Sequence, residues 1–428
     1  MRHFCFLATL AVLSSAATIP SAAQAAGQAK SSADPLAQLA RQAVEPQGAD
    51  AAIAKLRAQG PAGLNALLAA HRGAIEEATR STTTLEGERL EHWQRLRHAI
   101  DAVGGQRDCY ASGLYWYTDF DQALTAAKLA GKPILSLRLL GRLTDEYSCA
   151  NSRFFRTTLY SNQEVANLLG EQFILHWQTV RPVPIVTVDF GDGRTLRRTV
   201  TGNSAHYVLS SDGQPLDAIP GLYGPQAFMR LLASAGELAR TVMSAGDASQ
   251  RTLIIAEYHR RRGELLDRAW QRDMTQLNGT KSPSRLAAAS PAEASDAIWN
   301  RVALLHATSA TLDESSRRLI ESQHPTAVAT MEVAVTKAVV ESPLAGLIRG
   351  LQNSIALDTV RNEYLLHRQI HDWFVAGEIG ELPSLNERVY ATLFRTPSSD
   401  PWLGLLPQGY TALENDGVVA DSTVAANP

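Results

Sequence analysis

Between residues 35 and 105 apolar positions recur at spacings of three and four, in LAQLARQAV, DAAIAKLRAQ, GLNALLAAHRGAIEEA and LEHWQRLRHAIDAV. That period predicts amphipathic helices. Gly60-Pro61 and the STTT run at 81–84 interrupt them. Three or four short antiparallel helices are expected, too few recognisable units for a repeat solenoid.

The rhythm changes over 106–245. DFDQALTAAKLAGKP (119–133) reads as a helix that ends at Gly131 and Pro133. ILSLRLL (134–140) is apolar enough for a central strand buried on both faces. SCANSRFFRTTLY (148–160) predicts a helix with Ser148 as its cap. QEVANLLGEQ continues as helix, and FILHWQTV as strand. IVTVDF-GDGR-TLRRTV alternates about a glycine-bearing turn, and HYVLSSDGQPLDAIPG bends at Asp212-Gly213; both predict hairpins. A helix at 224–240 closes the region. The order predicts an α/β domain with one central mixed sheet, flanked by helical N- and C-terminal regions.

Residues 246–276 predict one charged helix, and the Ser/Pro/Ala/Gly-rich stretch 277–295 a linker. A helical domain follows over 296–410. Its proline-rich end, from 396, is expected to lie extended over a helical surface, held by Trp402. Residues 411–428 are expected to be a disordered tail.

At the other end, Arg2 and His3 precede the apolar run FCFLATLAVL, and Ala23-Gln24-Ala25 has the small-x-small form of a cleavage site. This predicts a signal peptide over 1–25, followed by a flexible leader at 26–34. The expectation is an exported protein, periplasmic or secreted, with no membrane span after cleavage. Net charge is −3, with no long basic block, which disfavours a nucleic-acid partner.

Export makes the cysteines informative, because disulfides persist outside the cytoplasm. Of three cysteines, Cys5 lies in the signal segment, leaving Cys109 and Cys149. That count permits one bridge or two free thiols. Cys149 sits in DEYSCANSRFF, where strand gives way to helix, and Ser152 follows three residues later.

The run AKLAGKPILSLRLLG, then SCANSRFF, QEVANLL and FILHW, followed by HYVLSSDGQPLDAIPGLYGPQAFMRLL, resembles the thioredoxin-like superfamily over about residues 116–236. The resemblance implies a thioredoxin-like central sheet. It places Cys149 on the first cysteine of the redox motif and Ser152 on the second, giving Cys-x-x-Ser. It also implies that Asn203-Ser204-Ala205 occupies the place of a proline that faces the thiols, with His206 beside it as a potential acid/base.

A cysteine in a first helical turn gains thiolate character from unpaired N–H groups. Arg153 would add to that effect, and Asp145 and Glu146 would oppose it. Three readings of Cys149 follow: monothiol exchange with a protein thiol or disulfide substrate, with Cys109 as the one resolving thiol in the chain; a structural bridge to Cys109; or a plain packed residue in a non-catalytic scaffold that binds a protein partner. No cofactor is expected.

Other constellations carry less. Glu363, His367 and His371 share four-residue spacing on one predicted helix. Two histidines at i, i+4 suit a metal ion, but the sequence offers no third ligand. A partly exposed helical face packing Tyr364 and Trp373 is the expectation, with no metal. Asp189-Phe190-Gly191 is expected to be a turn, and His176-Trp177 core. His206 is expected to be half-buried. Asn278-Gly279-Thr280 is a glycosylation sequon.

Overall fold

The computed structural model describes residues 34–80, 85–279, 290–323, 343–406 and 412–418. The expected signal peptide, nearly all of the leader, and most of the linker and tail lie outside these residues.

The N-terminal helices are α1 (Pro35–Gln42), α2 (Ala49–Ala58), α3 (Pro61–Ala70), α4 (Arg72–Arg80) and α5 (Gly87–Gly104), followed by the single turn α6 (Cys109–Ser112). One long predicted segment is divided at His71, which caps α3 and whose Nε2 lies 3.0 Å from the Ala40 carbonyl. Leu56, Leu64, Leu67, Leu96, Ile100 and Val103 form a core of their own, and Cys109 belongs to it. Gly104 permits this: a Cβ there would lie 2.1 Å from the Cys109 sulfur. Arg57 ties the unit to the next layer, donating to the carbonyls of Val103 at 2.8 Å and Trp116 at 2.6 Å.

The middle of the chain is mixed α/β. After α7 (Phe120–Ala130) come β1 (Ile134–Leu140), α8 (Ala150–Phe154) with a π-helical turn at Phe155–Leu159, α9 (Gln163–Gln172) and β2 (Ile174–Arg181). The hairpin β3 (Ile185–Asp189) and β4 (Thr195–Thr199) precedes β5 (Ser204–Leu209), β6 (Pro215–Pro220) and α10 (Pro225–Ser244). The sheet order is β2-β1-β5-β6. β1 pairs parallel with β2 across the α8–α9 crossover, and antiparallel with β5. Asp212-Gly213 turns β5 into β6, as expected. β1 is mostly apolar and is buried at every position but Arg138, as a central strand covered on both faces should be.

β3 and β4 form a separate two-stranded sheet. Their side chains are exposed almost throughout. Asp189-Phe190-Gly191 is indeed a turn, with the Gly191 N–H donating to the Asp189 carboxylate at 2.8 Å.

The C-terminal helices are α11 (Ala248–Asn278), α12 (Asp296–Leu305), α13 (Glu314–Ser322), α14 (Pro343–Arg361), α15 (Arg368–Val375) and α16 (Leu382–Arg388). A π-helical turn at Asn362–His367 joins α14 to α15, and another at Val389–Leu393 continues α16. α15 packs along α11. Trp270, Trp299 and Tyr364 bring their rings together at 5.2–6.4 Å. Among the described residues no helix is long and apolar enough to cross a membrane.

The segment after α16 is fixed otherwise than expected. Trp402 is 46% exposed, whereas Leu403 is buried. Arg181 at the end of β2 holds the chain, donating to the carbonyls of Thr396, Pro397 and Asp400.

Candidate functional site

Cys149 follows β1 and is itself the N-cap of α8, with φ −58° and ψ 159°. The expected cap, Ser148, does not serve: its hydroxyl is buried without a hydrogen-bond partner. The Cys149 sulfur lies 3.5 Å from the Ser152 hydroxyl and 3.3 Å from that of Ser204 on β5. Ser152 donates instead to the Cys149 carbonyl at 2.9 Å. The topology brings Cys149, Ser152 and Ser204 together, and each is 0% exposed.

The other residues assigned to this place do different things. Arg153 does not point at the sulfur; its guanidinium donates to the Ser148 carbonyl at 3.1 Å and the Thr199 hydroxyl at 2.6 Å, closing the base of the β3–β4 hairpin. Asn203 donates to the Thr396 hydroxyl at 3.0 Å. Strand alternation puts Ala205 on the face opposite Ser204. His206 shares the Ser204 face but is fully buried, not half-buried, because α8, its π-helical turn and α10 roof it. Its Nε2 lies 2.7 Å from the Tyr160 hydroxyl. Burial pushes its pKa down to about 3, so it stays neutral at physiological pH. His176 is core, as expected, with Nδ1 2.9 Å from the Ser136 hydroxyl.

No disulfide joins Cys109 to Cys149; both are free, buried thiols. They occupy different cores, and the Cys109 sulfur lies 3.4 Å from the Leu114 carbonyl. Burial, then the neighbouring Asp101, pushes the Cys109 thiol well above its ordinary pKa. A thiol held neutral in an apolar core makes a poor resolving nucleophile.

A roof over the thiol end of the sheet comes from the chain's own C-terminal region. The Tyr390 hydroxyl bridges the carbonyls of Asn203 at 3.1 Å and Arg138 at 3.3 Å. Tyr207 donates to Asn386 at 3.1 Å. The C-terminal region therefore covers the chain at Asn203.

The histidine pair is placed differently from the expectation. His367 and His371 are fully buried, not on a partly exposed face. Glu363 turns away toward Arg230, 3.8 Å distant. The pair instead meets Asp217 of β6 and His259 of α11, neither of which a local motif could reveal. His367 Nε2 lies 3.0 Å from Asp217 Oδ1, and His371 Nδ1 lies 2.7 Å from His259 Nδ1. Burial, partly opposed by Asp217, pushes the His259 pKa down to about 4.

No protein-family model, curated protein or solved structure matches the chain. The chemistry available at Cys149 must therefore be judged from its own surroundings: a thiol between two hydroxyls, shut off from solvent.

Proposed function

We propose that the chain is an exported, non-catalytic scaffold of thioredoxin-like layout that binds a protein partner, with Cys149 kept as a core residue. The observation that carries this reading is the enclosure of the Cys149 sulfur between Ser152 and Ser204. Thiol–disulfide exchange needs a second sulfur to approach the first. Here Tyr390 and Thr396 of the same chain hydrogen-bond Asn203, next to Ser204, and cover that end of the sheet. The rival reading, monothiol exchange through Cys149, would require that segment to lift. The thioredoxin-like layout is supported by the strand order β2-β1-β5-β6, by a cysteine opening the helix after β1, and by Ser204 facing it from the start of β5.

The surface that suits a partner is the β3–β4 hairpin. Ile185, Val186, Val188, Phe190 and Leu196 are exposed on it, and among the described residues its outer strand edges are unpaired. Arg194, Arg197 and Arg198 outnumber Asp189 and Asp192 there. Arg197 and Arg198 disfavour pairing with a second copy, so the occupant proposed is an extended acidic segment of another protein, added as a strand.

The test is maleimide labelling of the full chain, read at Cys109 and Cys149 by peptide mapping. Neither cysteine should react in the native state over a time in which both react in denaturant. Native labelling of Cys149, or its capture as a mixed disulfide with oxidised glutathione, would favour exchange. For the hairpin, a peptide of alternating Glu and Val should slow amide exchange across 185–199, and Arg197→Glu with Arg198→Glu should remove that protection. No protection by the peptide would reject this surface.

A further inference from the structure

We propose that Asp217, His259 and His371 form a structural site for one divalent ion of the zinc class, stapling the sheet to the C-terminal helices. The three residues come from β6, α11 and α15, and one ligand atom from each lies within 4.8 Å of the others. All three are essentially inaccessible to solvent. Two imidazole nitrogens and one carboxylate oxygen are a donor set that zinc accepts.

Hydrogen bonding around the three follows the logic of a metal site. His259 Nε2 lies 2.9 Å from the Leu216 carbonyl. A carbonyl only accepts, so the proton of His259 is on Nε2 and the Nδ1 lone pair faces inward. That lone pair meets His371 Nδ1 at 2.7 Å. Two imidazoles so placed need a proton or a cation between them. His371 Nε2 and His367 Nδ1 are buried without a hydrogen-bond partner whichever cation lies between the two rings. Each such atom is costly to bury.

His367 completes the arrangement as a positioning residue. Its Nε2 donates to Asp217 Oδ1, and the Ala218 N–H donates to the same oxygen at 2.8 Å. These bonds fix the carboxylate as outer partners fix metal ligands. The rings of His259 and Phe374 stack at 3.9 Å, closing the pocket on an apolar side. Three protein ligands leave the fourth tetrahedral position to a water, and it is the burial of all three residues that favours a structural role. Tetrahedral coordination at about 2.05 Å separates two nitrogens by roughly 3.3 Å, so binding requires the two rings to part slightly.

The experiment uses the full, untagged chain after chelator treatment, with Co2+ as the probe and Zn2+ as the competitor. Uptake of one equivalent of Co2+ is expected, with absorption bands of nitrogen–oxygen ligation that Zn2+ abolishes. Added Zn2+ should raise the Tm by several degrees. Asp217→Asn and His371→Gln should each weaken Zn2+ binding more than 100-fold, and His367→Gln by about 10–100-fold. If the variants do not fold, X-ray absorption of the Zn2+-loaded wild type decides, with two imidazoles in the first shell expected. No uptake by the wild type, no imidazole in that shell, or unchanged affinity in folded Asp217→Asn and His371→Gln would overturn the proposal.

Discussion

The hydroxyl of Tyr390 lies 3.1 Å from the carbonyl of Asn203, 187 residues earlier, and so fastens the C-terminal region over the end of the sheet where Cys149 is enclosed. The same hydroxyl reaches the Arg138 carbonyl of β1. Tyr390 is fully buried, so losing its hydroxyl leaves two carbonyls without that donor. Tyr390→Phe should lower stability by about 1–2 kcal/mol. It should also raise the native maleimide-labelling rate of Cys149 by roughly an order of magnitude, through easier opening of the roof. An unchanged rate in a destabilised variant would mean that the thiol is reached neither through the roof nor by global unfolding, but by a local opening that leaves Tyr390 in place.

Cys149 itself contacts two serine hydroxyls and belongs to the large apolar core. Cys149→Ala removes one sulfur and leaves a small cavity, with an expected cost of about 1–2 kcal/mol. Cys149→Leu overfills the same space and should cost more, about 2–3 kcal/mol. Denaturant midpoints at constant m-value test both. Equal stability of the alanine and wild-type proteins would mean that the sulfur does not contribute to packing.

How much of this was legible beforehand depended on the range of the interaction. The strand ILSLRLL and the Asp212-Gly213 turn carry local signals, and both hairpins lie where alternation placed them. The meeting of Cys149 with residues 203–205 was expected only through the resemblance, because nothing local in the sequence links the start of β5 to the start of α8. The roof was not, because Tyr390 and Thr396 lie almost two hundred residues from Asn203 and carry no motif. Trp402 misled for a related reason. A large aromatic suggests an anchor, yet the anchor is Arg181 on β2 gripping backbone carbonyls, which no side-chain pattern announces. Asp217 and His259 were missed because each is a single residue in an ordinary strand or helix. The i, i+4 histidine spacing was their one available signal, and it shows only half the cluster.

Two buried histidines set an acid limit on stability. His206 is surrounded by Tyr160, Phe155 and Phe228, and burial pushes its pKa down to about 3. His176 also falls to about 3, through burial and then through Arg138. A histidine whose folded pKa is depressed binds its proton more readily when unfolded. Stability from these groups is present above the unfolded value near 6.5 and is lost as pH falls toward 3. At pH 5 the loss is about 2 kcal/mol for each. His206→Gln keeps a hydrogen-bonding group for Tyr160 and removes the titration. Its stability should depend less steeply on pH between 6 and 4, by about 1.4 kcal/mol per pH unit. Parallel curves for the two proteins would show that His206 is charged in the folded state.

Gly104 and Cys109 make one of the closest packing contacts in the N-terminal core. A Cβ on Gly104 would come within 2.1 Å of the Cys109 sulfur and 3.1 Å of its Cβ. Cys109 cannot give way easily, because its N–H donates to the Asp101 carboxylate at 2.8 Å and its sulfur packs on Leu114. Helix propensity alone would favour alanine over glycine at this last position of α5 by up to about 1 kcal/mol. The collision should reverse that sign, so Gly104→Ala is expected to destabilise by about 2–3 kcal/mol. Cys109→Ala alone should cost about 1 kcal/mol for the lost sulfur. The double variant removes the nearest colliding atom and should recover most of the Gly104→Ala loss, giving a coupling energy of about 1–2 kcal/mol in a double-mutant cycle. Simple additivity in that cycle would mean that the two residues do not touch, and that Cys109 is not packed against α5.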